Sequence, residues 1–174
     1  MKRILLFLLL VLFFGISSFG QKMIGYGAEL SVLSLKPTAR LWISKTTGFE
    51  VFGGIASGVE NFNPNDVEVG FKYLHTIMYK RTDRTYFGFV GKWKWIDIYT
   101  SNRTTNLPVP GIIFGKEWYS KRIHLKGFAI EIGYQYGNKQ YPIYSPVNHL
   151  KIEDSRFEEF PLIVNLRYTF YQKR

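Results

Sequence analysis

The residues best equipped for chemistry are few. Histidine occurs at positions 75, 124 and 149, and only His149 has a carboxylate and a hydroxyl close by, Asp154 and Ser155. A base, an orienting carboxylate and a hydroxyl nucleophile are the ingredients of a catalytic triad. These are common residue types in a polar stretch, however, and closeness along the chain does not supply a triad's geometry. The reading favoured is a polar loop, with His149, Asp154 and Ser155 as the only catalytic candidates. The absence of cysteine removes thiolate nucleophiles, thiolate metal sites and disulfides together. The histidines are far apart, and no ligand pair has the spacing of a helix or hairpin metal site. Gly25-Tyr26-Gly27 lies inside a strand pattern and does not open a helix, so it is no phosphate loop. Neither a metal nor a cofactor is expected.

The formal charge of +10 raises the question of nucleic acid. That reading needs a basic face or a recognisable module, and the basic residues are scattered along the chain, so no nucleic-acid partner is expected. Aromatics make up 18% of the chain, which is high for a soluble domain of ordinary composition. Yet 21% of residues are charged and the mean hydropathy is −0.08, values incompatible with a bundle of membrane helices. Strict alternation of apolar and polar positions reconciles the two.

The first residues read as an address. Lys2 and Arg3 precede an apolar run from Ile4 to Ile16, and Ser17-Ser-Phe-Gly20 leads into Gln21. This is the order of a secretory signal peptide, and the run falls short of the roughly 20 apolar residues a spanning helix needs. Residues 1–20 are therefore assigned as a signal peptide and 21–174 as one mature domain.

Beyond Gln21, apolar residues recur every second position in segment after segment, which predicts an all-β chain. The segments run 23–34, 37–45, 48–58, 66–80, 85–99, 109–119, 122–137 and 158–171. Tight turns at 45–48, 81–84 and 120–121 alternate with longer connections at 58–66, 100–108 and 137–158; only 34–37 is short on that second side. An even strand count with short turns at one end and longer loops at the other predicts an eight-stranded antiparallel up-and-down transmembrane barrel.

Parity sorts the side chains. In the last segment Phe160, Leu162, Val164, Leu166, Tyr168 and Phe170 oppose Pro161, Ile163, Asn165, Arg167 and Thr169. One face should meet lipid and the other a lumen. The lumen parity collects Glu29, Glu50, Glu68, Glu117 and Glu131 with Arg40, Lys72, Lys92, Lys94 and Arg167, and Gly25, Gly27, Gly54, Gly70, Gly88, Gly115 and Gly133 are expected to make room for them. An eight-stranded barrel is only wide enough for side chains, and buried charges persist when paired, so a salt-bridged plug is expected. Lys116, Lys126, His124, His75 and Asp97 fall on the outward parity; the first three flank a turn, where long side chains can snorkel. Trp118, Tyr119, Tyr134, Tyr136, Tyr168 and Tyr171 are expected in interfacial girdles.

The mature chain thus resembles the small outer-membrane barrels typified by OmpX and the transmembrane part of OmpA. The closing segment, Leu162-Ile-Val-Asn-Leu-Arg-Tyr-Thr-Phe170, is similar to the signature read by the barrel assembly machinery, although the chain continues through Tyr171-Gln-Lys-Arg174. The resemblance implies a monomer in the outer membrane of a Gram-negative bacterium, in contact with lipid and lipopolysaccharide. It does not choose among anchoring, adhesion and surface interaction. Some barrels of this size act on lipid A as acyltransferases or deacylases, but the deacylase His-x-Ser element is matched at none of the three histidines. Lys139, Lys151 and Arg156 are placed to meet lipopolysaccharide phosphates, with solvated loop charge as the simpler reading. A lipocalin-like soluble carrier would need an apolar interior. Mass spectrometry of protein isolated from membranes should find Gln21 at the N-terminus; a chain retaining Met1 would refute the assignment of the first 20 residues.

Overall fold

The computed structural model describes residues 23–31, 34–55, 67–98, 103–120, 125–144, 151–158 and 161–173. The assigned signal peptide and His149 lie outside these. Ten strands are formed: β1 Met23–Ser31, β2 Ser34–Trp42, β3 Thr47–Ile55, β4 Val67–Tyr79, β5 Asp83–Ile98, β6 Arg103–Ser120, β7 Leu125–Gln135, β8 Asn138–Tyr144, β9 Lys151–Glu158 and β10 Leu162–Lys173. Eight of them close into an all-antiparallel barrel in the order β1-β10-β7-β6-β5-β4-β3-β2, while β8 and β9 pair only with each other.

The closure follows from register. Cross-strand partners lead from Met23 through Trp42, Gly48, Leu74, Gly88, Ile113, Gly133 and Ile163. Strand β10 in turn meets β1 with Asn165 opposite Ser31, so the circuit does not come back to Met23 but is displaced along the strand, the stagger that tilts strands and sets the bore of a barrel. Side chains on this circuit all share one parity and turn inward.

Five sequence expectations change at strand ends. Within 137–158, expected as a loop, Asn138–Tyr144 and Lys151–Glu158 pair as β8 and β9, with Tyr141 opposite Ser155 and Pro142 opposite Asp154. Strand β6 begins at Arg103, inside the loop expected at 100–108, and pairs with β5 as far as Ile98. The first hairpin turns earlier in the chain than the expected 34–37: Ser31 pairs Ser34 and their hydroxyls lie 2.6 Å apart. The turn after β4 closes through Lys80 N–H donating to the Asp83 carbonyl at 2.8 Å, so Arg84 belongs to a strand. Pro161, expected on the lumen parity, is exposed, because β10 begins after it; its carbonyl accepts the Gln135 N–H at 2.8 Å. A bulge between Thr76 and Met78 adds one residue to β4, which lets the strand bend toward its turn. His75, just before it, faces outward against the Phe87 ring at 5.5 Å.

The glycines make room where strands crowd, though chiefly for rings. A Cβ on Gly115 would meet the Tyr86 ring, one on Gly70 the Phe52 ring, and one on Gly25 the Tyr171 ring. Gly27 and Gly133 instead face the neighbouring backbone, at the carbonyls of Tyr168 and Ile112. Gly27→Ala or Gly133→Ala should therefore force the wall apart and cost about 1–3 kcal/mol. Gly53→Ala, whose Cβ would find its nearest atoms at 3.5 Å, should be close to neutral. Urea midpoints of the refolded proteins test this; equal stability of all three variants would contradict the packing described.

Candidate functional site: the charged interior

The inward parity of all eight barrel strands converges on one hydrogen-bonded cluster. Glu29 comes from β1, Arg40 from β2, Glu50 from β3, Lys72 from β4, Tyr86 from β5, Glu117 from β6, Glu131 from β7 and Arg167 from β10, and every one of these side chains is buried. Glu131 lies at the centre. It accepts from Arg40 Nη2 at 2.9 Å, Arg167 Nη1 at 2.5 Å, the Tyr86 hydroxyl at 2.7 Å, Lys72 Nζ at 2.7 Å and Asn165 Nδ2 at 3.3 Å. Glu50 bridges both guanidinium groups, accepting from Arg40 Nε at 2.5 Å and Arg167 Nη1 at 2.9 Å. The Tyr86 hydroxyl in turn accepts from Arg40 Nη1 at 3.2 Å and Arg167 Nη2 at 3.1 Å.

The chemistry of this arrangement is neutralisation. A buried carboxylate or ammonium is tolerated only with opposite charge and hydrogen bonds close by. Tyr86 serves both signs, because one hydroxyl accepts from two guanidinium groups and donates to a carboxylate. Lys72 has the clearest role. Glu29, Glu50 and Glu131 bring carboxylate oxygens within 4.8 Å of one another, a grouping that would suit a cation. The Lys72 ammonium contacts all three, Glu29 most closely and the others at 2.9 and 2.7 Å. The protein's own ammonium therefore occupies that place.

Toward the turn end, Glu117 accepts from the hydroxyls of Tyr171 at 2.5 Å and Tyr119 at 2.9 Å, with Arg40 and Arg167 each 3.5 Å away. Trp42 Nε1 donates to the Tyr171 hydroxyl at 3.4 Å. Arg84, directly opposite Glu117 in register, lays its guanidinium over the Trp42 ring at 3.6 Å and the Tyr79 ring at 4.9 Å. Toward the loop end, Glu68 pairs with Lys36 and lies 3.5 Å from Lys94. Lys92 follows the same inward parity and is partly buried. Apolar side chains fill the intervals, including Phe52, Leu74, Val90, Ile113 and Ile163.

All ten charged residues singled out by parity thus face the barrel interior. Glu29, Arg40, Glu50, Lys72, Glu117, Glu131 and Arg167 form the central cluster, whereas Glu68, Lys92 and Lys94 lie nearer the loops. Parity overlooked Lys36 and Arg84, because both positions were assigned to turns; the first turn falls earlier, leaving Lys36 within β2, and the second is shorter, leaving Arg84 within β5. Continuing the alternation two residues outward from Thr38 and Tyr86 finds them. Tyr119 and Tyr171, expected in a lipid-side girdle, point inward to Glu117; each shares the odd parity of its neighbours Glu117 and Thr169. Trp118, Tyr134, Tyr136 and Tyr168 are exposed on the outer wall. Of the catalytic candidates, Asp154 and Ser155 are successive residues of β9, a strand instead of the expected loop, and His149 lies outside the described residues.

Comparisons with known protein families, characterised proteins and solved structures find no match to this chain. The interior must therefore be interpreted from its own chemistry. Lys72→Met would strip Glu29 of its ion-pair partner and leave Glu50 and Glu131 with the two guanidinium groups alone. The expected loss is about 3–5 kcal/mol, the typical cost of removing one partner from a buried ion pair. Adding Glu29→Gln should restore part of it, since one repelling charge is then gone. Denaturant titrations of both variants measure the effect; a Lys72→Met protein as stable as the parent would show that the cluster does not stabilise the fold.

Proposed function

We propose that this chain is an integral outer-membrane barrel of a Gram-negative bacterium, with a plugged lumen, acting as a structural, adhesive or surface-interaction scaffold through its loop end. The observation carrying this reading is the inversion of solvent preference across the wall. Large apolar side chains such as Leu35, Phe71, Phe89, Ile112, Ile132 and Leu162 are exposed outside, while the charges are inside. A soluble protein rarely exposes so much contiguous apolar surface. Hydrocarbon outside makes the same arrangement favourable, and a closed barrel leaves no unpaired strand edge in the bilayer.

Dimensions support the same reading. Strands β1, β2 and β3 have 9 residues each, close to the roughly 9–11 that a tilted strand needs to cross a membrane. Strands β5 and β6 have 16 and 18, so their hairpin would stand clear of the lipid at the loop end. The β8–β9 hairpin lies at that end too, tied to β6 by Lys139 Nζ donating to the Asn106 carbonyl at 2.6 Å. Its two unpaired edges make it the proposed contact surface. The likeness to OmpX and the OmpA barrel, assembly by the barrel machinery, a monomeric state and contact with lipopolysaccharide belong to this proposal. A lipocalin-like carrier fits poorly, because its ligand would have to displace the ion pairs.

Expressed in a Gram-negative host, the protein should sediment with outer membranes, require detergent for extraction and leave the acyl pattern of lipid A unchanged by mass spectrometry. Purified protein in planar bilayers should give no stable porin-sized steps. Release by osmotic shock would refute membrane integration, and porin-sized steps would refute the plugged lumen.

A further inference from the structure

We propose that the turn end of the barrel wall binds the headgroups of anionic phospholipids in the leaflet on that side. The inference rests on the membrane-spanning reading above and adds which lipid the wall selects and where. Charge is unevenly distributed between the two ends. At the turn end, Lys45, Lys80, Arg81 and Lys116 are exposed and Lys126 is half-exposed, and among the described residues Asp83 is the one carboxylate there outside the barrel interior. The loop end is mixed: β9 alone carries Glu153, Asp154 and Glu158 beside Lys151 and Arg156.

Two of these bases stand on the outer wall itself, beside apolar rings. Lys116 Nζ lies 5.4 Å from the Trp118 ring and Lys126 Nζ 5.6 Å from the Phe170 ring. Between them Trp118 stacks on Phe128 at 6.2 Å. Register makes the strip continuous over β6, β7 and β10, since Trp118 opposes Phe128 and Lys126 opposes Phe170. Among the described residues neither lysine is ion-paired.

A glycerophospholipid offers the complementary pattern, with acyl chains to lie on the rings and a phosphate to sit between ammonium groups. Interfacial aromatics hold that depth, and a basic group near an anionic surface favours it by a factor of about five. Lys45, Lys80 and Arg81, further out on the turns, would add long-range attraction screened by salt. The collar as a whole should therefore enrich anionic over zwitterionic lipid around the barrel.

Trp118 is the natural reporter. In a Trp93→Phe/Trp95→Phe background it is the wall tryptophan that remains, because Trp42 is buried inside. The protein would be reconstituted in bilayers of phosphatidylcholine and phosphatidylglycerol, with bromine placed on the acyl chains of one lipid or the other. Brominated phosphatidylglycerol should quench Trp118 beyond its mole fraction. Lys116→Gln/Lys126→Gln should lose most of that preference, while Lys139→Gln at the loop end should keep it. Equal quenching by the two headgroups in the parent, or an undiminished preference in the double variant, would overturn the site while leaving the barrel in the membrane. No quenching by either brominated lipid would overturn the spanning reading and the lipid site with it.

Discussion

The hydrogen bonds that converge on Glu131 and Glu50 constrain the whole molecule. Every strand of the closed barrel delivers one polar group to the same cluster, from Glu29 on β1 to Arg167 on β10. A strand that slips by one residue would turn its contribution outward and bring an apolar side chain inward. Each register is thus checked by the others. Buried ion pairs add little net stability compared with well-packed apolar substitutes, so their value here lies in specifying one arrangement of eight strands.

Much of this could be read from residue order, because a strand's period of two is insensitive to where its ends are drawn. Glu50, Lys72 and Arg167 sit mid-strand, and any reasonable boundary leaves them on the inward parity. The ends were less legible. Lys36 and Arg84 lie beside turns only a few residues long, where a turn drawn too late or too wide removes a strand position. Tyr119 and Tyr171 were drawn to the membrane interface by residue type, yet a hydroxyl within reach of Glu117 makes the inside the better environment. Tyr86 shows the same ambiguity: its neighbours Phe87 and Phe89 invite a lipid-facing assignment that its parity forbids. The Asn- and Pro-rich stretch after Gly137 reads as a loop by composition, and only pairing with a partner strand, invisible to local pattern, makes it a hairpin. No arrangement of the catalytic candidates could be inferred at all, since Asp154 and Ser155 are positioned by that same pairing.

The two ends of the barrel are built for different surroundings. Lengthened strands β5 and β6 and the separate β8–β9 hairpin carry chain beyond the wall on one side, with charges of both signs. The other side is trimmed to tight turns, closed inside by Trp42, Tyr171 and Arg84 and rimmed outside by bases. Such polarity suits an element fixed in orientation, as the proposed membrane role requires.

The central claim is that adjacent residues of one strand meet hydrocarbon and a sealed polar interior in turn. Because the chain has no cysteine, single nitroxide labels can be placed one at a time from Leu162 to Phe170 in bilayer-reconstituted protein, and their collisions with oxygen and with a water-soluble nickel chelate compared. Labels at Leu162, Val164, Leu166 and Phe170 should collide with oxygen and not with nickel, while those at Ile163, Asn165 and Thr169 should be shielded from both. Accessibility without a period of two, or nickel reaching the even positions at mid-strand, would contradict it.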